Sequence, residues 1–299
     1  MKLRKILNST LIAGAVVLLV GVVVFTIAFA TTGFNLTSFS YVNVEEKTYV
    51  ETETTTELSL SAHVANVYLY EAKPGQPLSV KYTRRKSREG DLLNDVEIHN
   101  EGSALVLTER EYSDGRPFLL DVTNPQITIY FPTDRTFDIE VYIDEGNIRV
   151  DGSHHMDTVV LNTKKGSLYT EKSKITCDVL SLTSMSGGIN FGEASADQVT
   201  ASATNGSVSI NGNVTARQFS ASADNGQIYY RSSVIDADEI TLKSTRGNIK
   251  AKLRGKKEDF LTDVTVESGR SNLSDRDTGD KVLNVSVSGG TIHIDFEEE

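Results

Sequence analysis

The sequence predicts an all-β chain: a β-solenoid of stacked two-strand coils, each about twenty residues long, preceded by an N-terminal transmembrane helix. Three observations lead there. A glycine recurs at Gly146, Gly166, Gly187, Gly206, Gly226, Gly247, Gly269 and Gly290, at intervals of 20, 21, 19, 20, 21, 22 and 21 residues. Apolar residues alternate on both sides of each of these glycines. Finally, Leu11 to Ala30 runs for 20 residues without a charge.

The flanks repeat as faithfully as the glycines. Five residues before each marker stand Val141, Leu161, Leu182, Ala201, Ala221, Leu242, Val264 and Val285, all apolar. Seven before, only Thr262 is polar. Two residues after stand Ile148, Leu168, Ile189, Val208, Ile228, Ile249, Ser271 and Ile292, and the intervening positions are mostly polar, with Tyr169 and Tyr229 as aromatic exceptions. Period two on each side means two half-buried strands per unit. The apolar phase switches across the glycine, so both faces turn to the same side. Such a unit is one strand pair thick and cannot bury its own face. Stacking neighbours about 4.8 Å apart closes a shared core. The glycine and its Asn or Asp neighbours supply the positive φ that each corner needs. Small residues at Ala201, Ala203, Ala221 and Ala223 predict a thin middle. A sandwich of similar-length hairpins is the alternative, since Asn-Gly also marks hairpins.

The repeats are assigned to residues 138–299. Residues 58–137 are expected to form an irregular β-rich cap that protects the first strand edge, with Val64 to Ala72 resembling one more repeat strand. Residues 31–57 read as a stalk, acidic and Thr-rich at Glu45 to Glu57, although the Glu/Thr alternation there also suits an edge strand. Residues 1–10 form a short cytoplasmic N-terminus and 11–30 the membrane helix. At about 1.5 Å per residue, the apolar segment matches the hydrocarbon thickness of a bilayer. Lys2, Arg4 and Lys5 precede it, so that end is expected in the cytoplasm and the remainder outside, as a single-pass protein of the cell membrane. A cleaved signal peptide is the rival, with Ala28-Phe29-Ala30 as its small-x-small site, but signal cores run about 7–15 apolar residues. Gly14 and Gly21 lie near one face of the helix.

Charge narrows the function classes. The chain has 299 residues and a formal charge of −11. Residues 1–30 hold three of its 30 basic residues and none of its 41 acidic ones, so the body carries 27 against 41, or −14. So acidic a body is a poor binder of nucleic acid, and none is expected as a partner. Cys177 is the single cysteine, which excludes an intrachain disulfide; it reads as a small core or edge residue. His154, His155 and Asp157 could offer metal ligands, but they fall in a return loop with no further ligand nearby in sequence, and a structural site needs about four. They are expected to be solvated. Glycoside cleavage on a stacked face needs paired carboxylates. The residues before the glycines (Glu145, Lys165, Ser186, Asn205, Asn225, Arg246, Ser268 and Gly289) do not stack acids. Neither do those three positions after, from Arg149 and Tyr169 to Lys250 and His293. No catalytic, cofactor-binding or metal-binding residue is therefore assigned, and no enzyme is expected.

Two basic stretches stand out: Lys81, Arg84, Arg85, Lys86 and Arg88, then Lys250, Lys252 and Arg254 on one outward face, followed by Lys256 and Lys257. They read as solubility and edge protection, or as a site for an anionic envelope polymer or lipid headgroups.

The membrane segment, "ITIYFP" at Ile127 to Pro132, and then "DEGNIRVDG", "KKGSLYTE", "SGGINFGE", "NGSVSING" and "SGGTIHIDF" together resemble the adhesin-like, LiaG-like (DUF4097-type) domain of bacterial envelope proteins, over roughly Leu58 to Phe296. The resemblance implies an extracytoplasmic β-repeat domain, often encoded beside envelope-stress signalling systems, with no catalytic residues to carry over. The expected function is thus a non-enzymatic, membrane-anchored module binding an unidentified envelope protein or polymer, with the membrane itself as a partner. End-to-end self-assembly through exposed strand edges is the alternative, opposed by charge repulsion from the acidic tail Asp295 to Glu299.

Overall fold

A computed structural model describes residues 17–27, 30–31, 42–52, 54–87, 90–111 and 125–298. Seven strands precede the glycine repeat: β1 (Val42–Val50), β2 (Glu57–Val64), β3 (Asn66–Glu71), β4 (Ser79–Ser87), β5 (Leu92–Glu101), β6 (Ala104–Glu111) and β7 (Gln126–Phe131). Next, β8 (Asp138–Glu145) and β9 (Ile148–His155) flank Gly146, while β10 (Thr158–Lys165) and the first part of β11 (Leu168–Ser186) flank Gly166. The rest of β11 and β12 (Ile189–Phe191) flank Gly187; β13 (Glu193–Asn205) and β14 (Val208–Ile210) flank Gly206. Around Gly226 lie β15 (Val214–Ala223) and β16 (Ile228–Tyr230), and around Gly247 β17 (Ile235–Arg246) and β18 (Ile249–Arg254). Finally, β19 (Phe260–Ser271) and β20 (Lys281–Glu297) each run through their own glycine. The chain is all-β, and these twenty strands belong to one sheet.

Parallel pairing follows the repeat. Strands before a glycine pair with strands before the next, and strands after with strands after, so the residues five before fall into one column: Val141 beside Leu161, then Leu182, Ala201, Ala221 and Leu242. Two residues after the glycine, Ile148, Leu168, Ile189, Val208, Ile228 and Ile249 make a second column. Every member of both columns is buried, and all belong to one hydrophobic cluster. The small middle is there too: Ala201, Ala203, Ala221 and Ala223 are buried, packed in a cluster that includes the edge-to-face rings of Phe191 and Phe219, 6.4 Å apart.

The axial order departs from chain order at both ends. Val285 of β20 pairs with Leu242 of β17 on one side and with Val264 of β19 on the other, so β20 is inserted between neighbours that sequence order would have joined. Burial explains the exchange. β20 offers Leu283, Val285, Val287, Ile292 and Ile294 to the interior, whereas β19 has Ser271 where other units have a branched or leucine side chain, and suits the rim. At the other end Leu60 of β2 pairs with both Leu107 of β6 and Val141 of β8, so β6 and β7 lie outside β2 and β3.

Further chain lies against both outer edges, fully paired at one and touching the other near Thr262 and Val264. β5 runs antiparallel to β6, β4 antiparallel to β7, and β1 antiparallel to β4. Residues 42–50, read from sequence as stalk or edge strand, are this β1. On the opposite rim Arg276 exchanges two 3.0 Å backbone hydrogen bonds with Thr262 of β19, and Asp275 Oδ1 accepts the Val264 N–H at 2.8 Å.

The marker glycines are required by contact more than by φ. Gly146 has φ of 133°, but Gly206, Gly226 and Gly247 are not in the left-handed region. What they share is a neighbouring backbone: a Cβ on Gly206 would lie 1.9 Å from the Gly187 carbonyl oxygen, and one on Gly226 1.9 Å from that of Gly206. Buried hydroxyls serve several carbonyls of this column, Thr163 donating to Gly146 at 3.0 Å, Ser184 to Gly166 at 2.8 Å and Ser244 to Gly226 at 3.0 Å.

Residues 17–27 are helical, with Val17, Leu18, Val20 and Phe25 more than half exposed. Among the described residues no helix is long and apolar enough to cross a membrane. The expected span 11–30 extends over residues 11–16 and 28–29, which lie outside the described residues, as do residues 1–10, with Lys2, Arg4 and Lys5, and Gly14.

Candidate functional site

Alternation turns the third and fifth residues after each corner outward, and pairing sets them in columns. Thr128, Tyr68, Arg149 and Tyr169 stand side by side on β7, β3, β9 and β11. The next column begins Tyr130, Tyr70, Asp151. The rings of Tyr68 and Tyr70 are 6.3 Å apart and within 5° of parallel; Tyr70 and Tyr130 are 5.8 Å apart. Arg149 lays its guanidinium 4.9 Å from the centre of Tyr169, and Lys81 Nζ sits 5.6 Å from that of Tyr130. Partial burial first, and then Asp151, push the Tyr70 phenol above its ordinary pKa.

Amides border this face. Asn66 Oδ1 accepts the Asn147 N–H at 3.0 Å and its Nδ2 at 3.3 Å, and Asn147 Oδ1 accepts the Ser167 N–H at 2.9 Å. A shallow pocket of about 190 Å³ is lined by Asn66, Tyr68, Asn147, Arg149 and Tyr169. From sequence only Tyr169 and Tyr229 stood out here. Tyr68, Tyr70 and Tyr130 were missed because β7 joins β3 only through the exchanged coil order. The matching phase of "VYLYE" and "ITIYF" was the available signal.

Neighbours neutralise part of each basic stretch. Lys250 lies beside His293, Lys252 beside Asp295 and Arg254 beside Glu297, so the acidic tail runs along the basic stripe in register. Lys252 pairs with Glu297 at 3.0 Å, and Tyr230 donates its hydroxyl to Asp295 at 2.7 Å. In the other stretch Arg84 pairs with Asp95 and Lys86 with Glu45 at 2.9 Å, while Asn94 Oδ1 accepts the Arg85 backbone and Nε hydrogens. Arg88 lies outside the described residues.

The histidine pair divides. His155 and Asp157 are exposed, and Asp157 accepts a hydrogen bond from the Thr136 hydroxyl at 2.9 Å. His154 is not in a solvated loop: it is on β9, buried, with its ring edge-on to Phe131 and Nε2 donating to the Asp151 carbonyl at 2.9 Å. Among the described residues no group of three or more His, Cys, Asp or Glu is arranged to hold a metal. Burial lowers the His154 pKa, and Glu71 and Asp151 only partly offset it. Because the folded value lies below the unfolded one, stability is complete above about pH 6.5 and is lost as pH falls from there toward the folded value. His154→Gln, which keeps a donor but does not titrate, should flatten that part of the stability–pH curve in urea titrations. Cys177 is buried and its thiol is pushed up to about 12, first by burial and then by Asp178, so at neutral pH it is an unreactive thiol.

Residues 55–298 match the Toastrack DUF4097 family. The chain belongs to the Toastrack family. This Toastrack chain matches a solved structure named a putative lipid binding protein, from Parabacteroides distasonis, with a TM-score of 0.51, 12% identity and coverage of 85% of this chain and 97% of that one, a likeness of fold alone. A putative adhesin from Bacteroides fragilis is 17% identical with a TM-score of 0.48, covering 84% of this chain and 97% of the other. One from Parabacteroides merdae is 13% identical with a TM-score of 0.43, covering 86% and 96%. No curated protein matches the chain.

Proposed function

We propose that this Toastrack chain is a non-enzymatic binding module of the cell envelope, a β-solenoid held outside the membrane by a single-pass N-terminal helix whose start is cytoplasmic. The observation that carries it is the registered outward face, where equivalent side chains from successive coils stand in columns on a buried, continuous core. Rigid, repeated columns suit an extended partner, because little ordering entropy is spent on binding. The parallel pairing at one-unit register supports the coiled reading, and the exposed apolar side chains of residues 17–27 support the anchor. The antiparallel strands over one rim and the bridge at Thr262 on the other argue for a monomeric module over end-to-end assembly. The resemblance adds the setting, an envelope stress response.

The test is photo-crosslinking in cells. With the full chain carrying the crosslinker at Asn190 or Tyr229 on the outward face, an envelope component should be captured; the same group at Thr241, on the other row of strands, should capture none. Equal capture from both rows, or specific cleavage of a wall polymer by the purified chain, would overturn the reading.

A further inference from the structure

We propose that the face built by Tyr68, Tyr70, Tyr130, Arg149 and Tyr169 binds an uncharged pyranose oligosaccharide lying along the stacking axis. The inference deepens the binding-module reading and rests on it.

Spacing is the first argument. Tyr68 and Tyr169 stand two strands apart, with Arg149 between them, which at the strand separation of a sheet is roughly 9.5 Å. That is about the length of a disaccharide, so one ligand can reach both rings. Tyr70 and Tyr130 offer a second, adjoining step of 5.8 Å. Where a ring face is not taken by a neighbouring ring or cation, its negative charge attracts the polarised C–H groups on the flat side of a sugar, contacts that are individually small and add along a ladder.

Hydrogen-bonding sense is the second. The carbonyl oxygens of Asn66 and Asn147 are committed to the backbone of the next coil, so what these amides have left for a ligand is N–H, both hydrogens of Asn66 and the one of Asn147 not directed at Asn66. Arg149 adds donors only. Flat rings bordered by donors call for a ligand with an apolar flank and acceptor oxygens around its rim. Hydroxyl, ring and acetamido oxygens of a pyranose meet that demand.

Charge is the third. Lys81, Arg149 and Lys172 on this face and its margin are offset by Asp151, Glu171 and Glu71, with Arg149 4.0 Å from Glu171. The patch is balanced, and the body around it is strongly acidic, so a polyanion is repelled while a neutral glycan is not. Nor is the face a lipid-docking surface: its outward side chains are half-buried phenols with amides and ions, and the aliphatic residues of the same strands are turned into the core.

The full chain in detergent micelles is titrated calorimetrically with the N-acetylglucosamine tetramer, and separately with polygalacturonate. The tetramer should bind saturably with an affinity in the millimolar range or tighter, and the polyanion should not. Tyr68→Ala and Tyr169→Ala should each weaken binding about tenfold, the scale of one stacking contact. Tyr142→Ala, an exposed tyrosine on the other row of strands, should leave it unchanged. No saturable binding of the tetramer, preference for the polyanion, or equal loss in all three folded variants overturns the proposal. Tetramer failure together with face-specific crosslinking to a protein in cells sinks the glycan and spares the binding module; failure of both sinks both.

Discussion

Gly206→Ala should cost more than about 4 kcal/mol, the range reserved for a few specific mechanisms. The added methyl would sit 1.9 Å from the Gly187 carbonyl oxygen and 2.5 Å from its carbon. Neither backbone can yield cheaply, because the Gly187 N–H donates to the Asn205 carbonyl at 3.2 Å and the Ile189 N–H to that of Ser207 at 2.9 Å. Relieving the clash means opening this corner between two paired repeat units. The entropic gain from replacing glycine, about 0.4–1 kcal/mol, is too small to compensate. Gly75→Ala is the control: its φ is 76°, yet nothing lies within 4 Å of the new methyl, so it should lose only about 1–2 kcal/mol. Urea denaturation of the two variants separates a contact requirement from a dihedral one; similar losses would remove the contact argument.

Phe219→Ala should lose about 3–5 kcal/mol, with the melting temperature falling by roughly 10 °C for a domain of this size. The ring is fully buried, meets Phe191 edge-on, and lies in register between Val199 and Ile240. Much of the core near it is alanine, including Ala201, Ala203, Ala221 and Ala223. Alanine has no rotamers with which to refill a hole, so the cavity should persist rather than collapse. Phe219→Leu, which leaves a smaller void, should recover most of the loss in thermal denaturation followed by circular dichroism.

The all-β class was legible because period two on either side of a recurrent glycine encodes two half-buried strands, and the columns through Leu182, Ala201 and Ala221 are that pattern seen across the sheet. Strand order at the ends was not legible as read. The pattern says which residues face inward, but not which neighbour supplies the next pairing partner, and parallel partners of equal spacing are interchangeable to it. A clue existed in Ser271, a polar residue at a position otherwise filled by Ile, Leu or Val, which marks its strand for the rim. The same gap hid the tyrosine face. The basic stripe misled differently: Lys250, Lys252 and Arg254 do point outward, but the acids beside Lys252 and Arg254 arrive from β20, some forty residues on, and only register reveals the match.

The inserted strand has a consequence for how the chain matures. β19 finds its parallel partner in β20, which is translated later, so this end of the sheet cannot pair until residues 281–297 have been made. A product clipped before them would be more than a shorter sheet: it would leave β17, β18 and β19 with raw, unpartnered margins. Those margins would brand an incomplete copy as prey for proteases before it could accumulate.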